Sequence, residues 1–409
     1  ALLELDFVSF VELKQEIALD HDESTPLVNS DAARALHDGG TNRASYAGVF
    51  DSGLETTHPM FSHIAFVGWD YTLGFPSAGA LPAIDPCGHG THVTGTILGS
   101  PFLPNLEHRG NAPGLGFENN GRFRIVRIFG PGTCATTPCC WTSAVSLETN
   151  FGHFTNAYTD GGGQVTPKAH VVNNSWGAGV CNSSCACSSP WGGADANSRS
   201  ADAISFNSDV LLVFSAGNSG QCGAGYVGSP GVAKNILTVG SVNDFYTSVS
   251  DTPGTLSFFS DRGPVGDGRW KPNVVAPGHT ILSAEAGGTN GLVEKSGTSM
   301  AAPHVTGIAA QLTDAHPFLR NAPARLSALL MGTALSKADE RLESPTANAG
   351  HLNTYGAGRV EAMLAQTQRS WYSSENWGFT MAPGAGFQYD DIMVPSGARR
   401  LIVCMTYHE

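Results

Sequence analysis

Short apolar segments that stop abruptly at Gly, Asn or Asp recur along this chain. They lie at 44–53, 123–130, 170–177, 209–218 and 235–242, and helix-like stretches separate several of them. Buried parallel strands form near-continuous apolar runs, and strands that alternate with helices predict a parallel sheet covered on both faces. We therefore predict an α/β fold in three layers, with a mostly parallel central sheet between two layers of helices.

Polar side chains occupy the carboxyl ends of three of these predicted strands. Asp51, Ser175 and Asn218 each follow directly on an apolar run. Ligands of open α/β sheets bind at the edge where the strands end. We therefore expect these three side chains at one edge of the sheet, which is also where a functional site is expected.

Local signals predict the elements between the strands. The stretch 29–39 is typical of a short helix that Ser30 caps and Gly39 ends. The stretches 100–120, 131–141 and 178–200 are rich in Gly, Pro, Asn, Ser and Cys. This composition is typical of surface insertions rather than of core.

The pattern changes after residue 370, where two extended segments flank Pro395-Ser396-Gly397. This arrangement predicts an antiparallel hairpin, and about forty residues are too few for a stable β-domain. The hairpin either packs on the main domain or begins a β-sandwich completed by a separate C-terminal fragment; we favour the second. We therefore divide the chain into an N-terminal extension (1–28), a main domain (29–369) and a partial β segment (370–409).

Composition narrows the classes of partner. The net charge is −13 with only 14% charged residues, so we expect no nucleic-acid partner. An acidic surface is compatible with basic peptide substrates, although solubility is the plainer explanation. No run of about 18 apolar residues occurs, so we expect no membrane span. The 50 glycines predict many tight turns in a compact protein.

Cysteine usage indicates an oxidising compartment. Six of the nine cysteines are crowded into two short stretches: Cys134, Cys139, Cys140, Cys181, Cys185 and Cys187. Disulfide-linked loops fit this spacing, whereas a zinc site would need paired ligands that these stretches lack. An odd count leaves one thiol free or paired outside the chain, and Cys404 is our candidate. The chain begins without Met or a basic segment, so we expect a processed, secreted protein or a fragment of one.

Two short segments contain candidate catalytic residues. His89 lies between glycines just before a predicted helix, whose dipole disfavours imidazolium and so favours a neutral base. His92 competes for this role but lies inside the helix, where packing is expected. Ser299 opens another predicted helix, where its own N–H is free to bind an oxyanion. The alternative is that Ser299 only caps the helix, which would require no partners elsewhere.

Such partners are present. Asp51 in VFDSG, His89 in GHGTHV and Ser299 in GTSMAAPHV resemble, in the same order, the active-site motifs of the subtilisin-like serine proteases (subtilases). The resemblance covers about residues 29–365 and implies a subtilisin-like fold with these three residues as the catalytic triad. Asn218 matches the family residue whose side chain completes the oxyanion hole.

The resemblance extends to substrate-binding segments. Ser175, Trp176 and Gly177, together with Gly217, match the family segments that line the substrate cleft. Trp176 is bulky where relatives vary, so we expect it to narrow or cover a pocket. Arg262 and Lys271 are expected to be structural. The cysteine-rich insertions should flank the cleft and affect subsite preference.

The resemblance implies a secreted serine endopeptidase that acts on proteins or peptides and needs no cofactor for catalysis. Structural calcium is plausible in this family, but no ligand can be named from the sequence. Two other functions stay open. A peptide ligase or macrocyclase would intercept the same acyl-enzyme with an amine. An inactive binding protein would keep the fold without its chemistry.

Overall fold

A seven-stranded parallel sheet forms the centre of the protein. The computed structural model describes residues 24–72, 85–101, 108–116, 122–131, 139–141, 146–159, 163, 165–244, 254–287, 291–335 and 352–367. In spatial order the strands are β11 (Val274–His279), β10 (Leu237–Asn243), β9 (Leu211–Ser215), β8 (Val171–Asn174), β1 (Ala47–Asp51), β3 (Phe123–Arg127) and β2 (Phe66–Asp70). Every neighbouring pair in this sheet is parallel, as the sequence predicts.

Alternate residues of the strands enter two separate hydrophobic clusters. Val49 faces one cluster and Phe50 the other, and the same alternation continues in Ile125 and Val126. Successive side chains of a strand point to opposite faces, so both faces of the sheet are buried. The predicted three-layer arrangement is therefore confirmed.

Helices cover both faces. The described helices are α1 (Ser24–Leu27), α2 (Ser30–Arg34), α3 (His89–Leu98), α4 (Leu147–Thr155), α5 (Ala196–Ser208), α6 (Thr298–Ala315), α7 (Pro323–Gly332) and α8 (Ala362–Thr367). Residues of α3, α6, α7 and α8 enter the cluster that contains Val49, whereas residues of α4 and α5 enter the cluster that contains Phe50. None of the described helices is long and apolar enough to cross a membrane.

Among the residues that the structure describes, three antiparallel strand pairs lie outside the main sheet. They are β4 (Phe129–Pro131) with β5 (Cys139–Trp141), β6 (Tyr158–Thr159) with β7 (Val165–Thr166), and β12 (Ile281–Ala284) with β13 (Leu292–Lys295). The last pair leads directly into α6. The hairpin predicted at 370–409 lies outside the described residues, as does most of the predicted extension 1–28.

The helix predicted at 29–39 is shorter than expected and is capped differently. It spans Ser30–Arg34, and Asn29 occupies the N-cap position without a side-chain cap. The Ser30 hydroxyl instead accepts from Gln311 Nε2 of α6 at 3.2 Å. Gly39 lies beyond the helix in a turn with φ of +87°, where a Cβ would lie 2.9 Å from the Cβ of Ala112. Tertiary contacts have thus overridden the local capping signal.

The prediction that 100–120 is a surface loop is wrong for its described middle part. Asn111, Ala112 and Leu115 are fully buried, and Pro113–Gly116 form a 3₁₀ turn. The Asn111 side chain donates to Thr96 O of α3 at 2.8 Å. A buried loop needs such partners for its polar groups, and α3 supplies them.

Candidate active site

Asp51 and His89 are joined directly at the carboxyl edge of the sheet. Asp51 is the last residue of β1 and is 1% exposed, and His89 is the first residue of α3. His89 Nδ1 lies 2.8 Å and 3.1 Å from the two carboxylate oxygens of Asp51. Because a carboxylate can only accept, Nδ1 carries the proton in this pair. Nε2 is then the basic nitrogen of a neutral ring.

The pKa of His89 lies above its ordinary value. Desolvation of the ring acts to lower the pKa, but the charge and hydrogen bond of Asp51 and the charge of Asp85 outweigh it. The effect expected of the helix dipole on this ring stays a prediction, because the causes of the shift are burial and nearby charges. Two nearby carboxylates stabilise the imidazolium form more strongly than burial of the ring disfavours it.

Asp85 organises the start of α3 from four residues upstream of His89. It is 4% exposed, and its Oδ2 accepts from Thr91 N at 2.8 Å and from Thr91 Oγ1 at 2.9 Å. Its Oδ1 accepts from Gly88 N at 3.0 Å and from Ser52 Oγ at 2.8 Å. This carboxylate therefore satisfies free N–H groups of the helix start and ties them to the residue after Asp51. Sequence reasoning missed it, although the turn signal Asp85-Pro86 precedes the His89 motif.

Ser299 is the second residue of α6 and pairs reciprocally with Ser175. Ser299 Oγ donates to Ser175 O at 3.0 Å, and Ser175 Oγ donates to Ser299 O at 2.8 Å. Ser175 directly follows β8, so its main chain is fixed by the sheet. In the described structure the Ser299 hydroxyl thus points to a carbonyl group and not to His89 Nε2.

Asn218 is held by the residue that precedes Ser299. Thr298 N and Thr298 Oγ1 donate to Asn218 Oδ1 at 2.8 Å and 2.9 Å. Since both contacts engage the amide oxygen, the NH₂ group is the free end of this exposed side chain. No described group accepts from that NH₂ or from Ser299 N–H. Two hydrogen-bond donors near the start of α6 are therefore unused in the described structure, and an oxyanion site requires donors of this kind.

The β12–β13 pair connects the helix that begins at His89 with the helix that carries Ser299. His92 is fully buried and its Nε2 lies 2.9 Å from Ile281 O of β12 and 3.0 Å from Val293 O of β13. The chain continues from β13 to Ser299 within four residues. Burial lowers the pKa of His92 to about 3, so this ring stays neutral and structural. The packing role predicted for His92 is confirmed.

Comparison with known proteins now decides the family. The model of the subtilase family matches residues 43–358. The chain belongs to the subtilase family. It is 30% identical to the alkaline proteinase of Hapsidospora chrysogena over 295 residues, which is 72% of this chain and 58% of that protein. It is 27% identical to subtilisin E of Bacillus subtilis over 361 residues, or 88% of this chain and 75% of that protein.

Some related subtilases are much longer than the part this chain matches. Pyrolysin of Pyrococcus furiosus is 31% identical over 271 residues, which cover 56% of this chain but 17% of pyrolysin. The chain therefore spans less than two thirds of pyrolysin and of the alkaline proteinase.

The predicted substrate-binding residues of this subtilase differ from one another in burial and in contacts. Trp176 is half-buried and packs on the aromatic rings of Phe50, Phe129 and Phe214, with centroids 5.7, 6.2 and 5.2 Å away. Its indole therefore covers the edge of the sheet cluster that contains Phe50. Gly177 is exposed, and Gly217 N donates to Thr298 Oγ1 at 3.0 Å. The role of these residues in substrate binding stays a prediction.

One disulfide links the subtilase's cysteine-rich loop to the Asn218 segment, and a second lies within the loop. Cys181 is bonded to Cys187, and Cys185 to Cys222. Cys222 ends the 3₁₀ turn that begins two residues after Asn218. The disulfide prediction is confirmed for Cys181, Cys185 and Cys187, whereas the partner of Cys185, Cys222, was not among the predicted residues. The sulfur atoms of Cys181, Cys187 and Cys222 lie within 4.8 Å of one another, but disulfide sulfurs are not thiolate ligands, which argues against the zinc alternative here.

The two basic residues predicted to be structural have structural contacts. Arg262 Nη2 donates to Gly220 O at 2.9 Å. Lys271 is 2% exposed and donates to Thr238 Oγ1 at 2.8 Å and Asn273 Oδ1 at 2.9 Å. No calcium ligand is assigned, because the cysteine trio is the one cluster of three His, Cys, Asp or Glu ligands found among the described residues.

Proposed function

We propose that this subtilase is a secreted serine endopeptidase with Asp51, His89 and Ser299 as its catalytic triad. The observation that carries the proposal is the pair of contacts between His89 Nδ1 and the buried Asp51 carboxylate. They fix the tautomer in which Nε2 can take a proton from Ser299. The position of Ser299 at a helix N-terminus, with Asn218 nearby, supports the same assignment.

Acylation begins when a peptide carbonyl enters the site and Ser299 Oγ leaves Ser175 O for His89 Nε2. The hydroxyl proton moves to Nε2 as Oγ bonds to the carbonyl carbon, and Asp51 stabilises the imidazolium that forms. The carbonyl oxygen becomes an oxyanion, which Asn218 NH₂ and Ser299 N–H stabilise as donors. The C–N bond then breaks, and the amine leaves with the proton from Nε2.

Deacylation repeats these steps with water. Nε2 takes a proton from water as its oxygen bonds to the acyl carbon, and the same two donors hold the second oxyanion. The ester bond to Oγ breaks, Oγ recovers the proton, and the acid product leaves. His89 thus acts first as base and then as acid in each half of the cycle.

Substrates are proposed to be proteins or peptides from outside the cytosol. The two described disulfides support an oxidising compartment. The exposed Gly177 lies directly after β8, at the carboxyl edge of the sheet, where ligands of open α/β sheets bind.

A fluorophosphonate probe tests the assignment of Ser299. We expect stoichiometric labelling of the wild-type protein on Ser299, and no labelling of Ser299→Ala. A mixed peptide library analysed by mass spectrometry should yield hydrolysed products. A folded protein that takes no label would instead be a binding protein, and ligated or cyclic products dominating in the presence of an added amine would identify a transferase.

A further inference from the structure

Asp261 lies behind the turn that carries Asn218 and contacts both of its neighbours. It is fully buried, and its Oδ1 accepts from Ser219 N at 2.8 Å. Its own N–H donates to Gly217 O at 3.0 Å. One residue thus holds the peptide groups immediately before and after Asn218.

The second oxygen of Asp261 fits against Gly217. A Cβ at position 217 would lie 2.1 Å from Asp261 Oδ2, and Gly217 has a φ of +115°. No described residue donates to this buried oxygen. A side chain at 217 would therefore displace the carboxyl group, so the observed position of this carboxyl group requires glycine at 217.

Neighbours of Asp261 hold the rest of the same turn. Gly220 N donates to Phe259 O at 2.7 Å, and Arg262 Nη2 donates to Gly220 O at 2.9 Å. Thr298 holds Asn218 from the opposite side through its amide oxygen. The direction of the Asn218 NH₂ is thus fixed by Thr298, which contacts the side chain, and by the Asp261 segment, which contacts the main chain of the turn.

We propose that Asp261 is a positioning residue of the oxyanion site, which acts on the reaction by fixing the main chain on both sides of Asn218. This inference rests on the proposed function, because it presumes that Asn218 stabilises an oxyanion. Asp261 contacts neither Asn218's side chain nor Ser299 in the described structure, so its effect passes through Ser219 and Gly217.

The environment of Asp261 predicts which substitution it tolerates. Burial raises its pKa to about 7, against the opposing effects of the Ser219 hydrogen bond and the Arg262 charge. The neutral carboxyl is therefore a populated form near neutral pH. Asparagine has the same shape and keeps an oxygen to accept from Ser219 N–H, whereas alanine leaves that N–H without its acceptor.

A double-mutant cycle with Asn218 tests the proposal on the full chain. With a peptide substrate, Asp261→Ala should lower kcat by about tenfold or more with KM within about threefold, since misplacing an oxyanion donor costs part of its roughly 10²- to 10³-fold contribution. The same change in an Asn218→Ala background should lower kcat by less than about twofold, because the donor is already absent. Asp261→Asn should restore kcat to within about threefold of wild type.

Asp267→Ala is the matched control. Asp267 is a partly exposed carboxylate in the same segment, ion-paired with Arg269 at 2.8 Å, and its removal should leave kcat within about twofold. Equal losses from Asp261→Ala in both backgrounds would show a general structural role and overturn the inference. If Asp261→Ala does not fold, Asp261→Asn decides: a loss above about tenfold in kcat that persists without Asn218 contradicts the proposal. A wild-type protein without Ser299-dependent cleavage would instead refute the proposed function itself.

Discussion

The Asp51–His89 half of the site and the Ser299–Asn218 half are held in place by different kinds of contact. Around Asp51 and His89, two buried carboxylates accept from an imidazole, two hydroxyls and several N–H groups of a helix start. Around Ser299 and Asn218, the direct contacts join neutral hydroxyl, amide and carbonyl groups. The first half therefore stabilises a cation on the imidazole, while the second offers donors to an anion.

This difference predicts how substitutions in each half change the rate and its pH dependence. Charge-assisted hydrogen bonds are about twice as strong as neutral ones, so removing a charge in the first half should affect both the rate and its pH dependence. Removing a neutral contact in the second half should lower the rate without moving the pH profile.

The largest effect is expected from breaking the first half at its centre. Asp51→Asn keeps the shape of the side chain but removes the charge that stabilises the imidazolium, and its NH₂ can favour the wrong tautomer. We expect kcat to fall by a factor on the order of 10⁴, measured under saturating peptide. A loss below about tenfold would show that His89 works without Asp51.

Asn218→Ala breaks the second half. It removes one of two oxyanion donors, and we expect kcat to fall by about 10²- to 10³-fold with KM little changed. This range comes from subtilisin and is transferred here through family membership. The pH dependence of kcat/KM should keep its wild-type midpoint; a shifted midpoint would show that the two halves are electrostatically coupled.

The motifs around Asp51, His89 and Ser299 place these residues correctly at strand ends and helix starts. Local patterns encode such positions, because an apolar run that stops at Asp51 or a glycine pair around His89 carries its own signal. The orientation of the Ser299 hydroxyl towards Ser175 has no such signal. It depends on two segments 124 positions apart.

The supporting carboxylates were not predicted for the same reason. Asp85 and Asp261 act by accepting from groups whose positions only the folded chain defines, such as Ser52 and Ser219. The raised pKa of His89 was not predicted either. Burial of the ring acts to lower this pKa, but the fold brings the charges of Asp51 and Asp85 close to the ring. Sequence reasoning thus predicts the reacting groups better than the groups that hold them.

Asp85→Asn sharpens the comparison through pH. His89 must be neutral to act as a base, so activity rises with pH through its pKa, which lies above the ordinary value of 6.5. Removing the Asp85 charge removes one of the causes that raise this pKa. The acidic limb of kcat/KM should therefore move to lower pH, and kcat should fall by about tenfold because the helix start loses ordered acceptors.

Ser52→Ala is the control for Asp85→Asn. It deletes the hydroxyl that joins Asp85 to the segment after Asp51 but leaves both carboxylates charged. The rate should fall while the acidic limb stays near its wild-type position. If the acidic limb of kcat/KM moves equally in Asp85→Asn and Ser52→Ala, then geometry, and not the charge of Asp85, sets the pKa of His89.

The smallest effect is expected at Thr298, because two of its groups, the main-chain N–H and the hydroxyl, both hold the Asn218 amide oxygen. Thr298→Val removes the hydroxyl that donates to Asn218 Oδ1 and accepts from Gly217 N, but the Thr298 main-chain N–H still holds the amide oxygen at 2.8 Å. Of the two hydrogen bonds lost, only the one to Asn218 Oδ1 holds the amide directly, and one neutral hydrogen bond contributes about 0.5–1.5 kcal/mol, so we expect kcat to fall by roughly two- to tenfold. Thr298→Ser retains the hydroxyl and should keep nearly full activity. If Thr298→Val instead lowers kcat as much as Asn218→Ala does, the hydroxyl alone positions the amide. The neutral half of the site would then depend on one contact, as the charged half depends on Asp51.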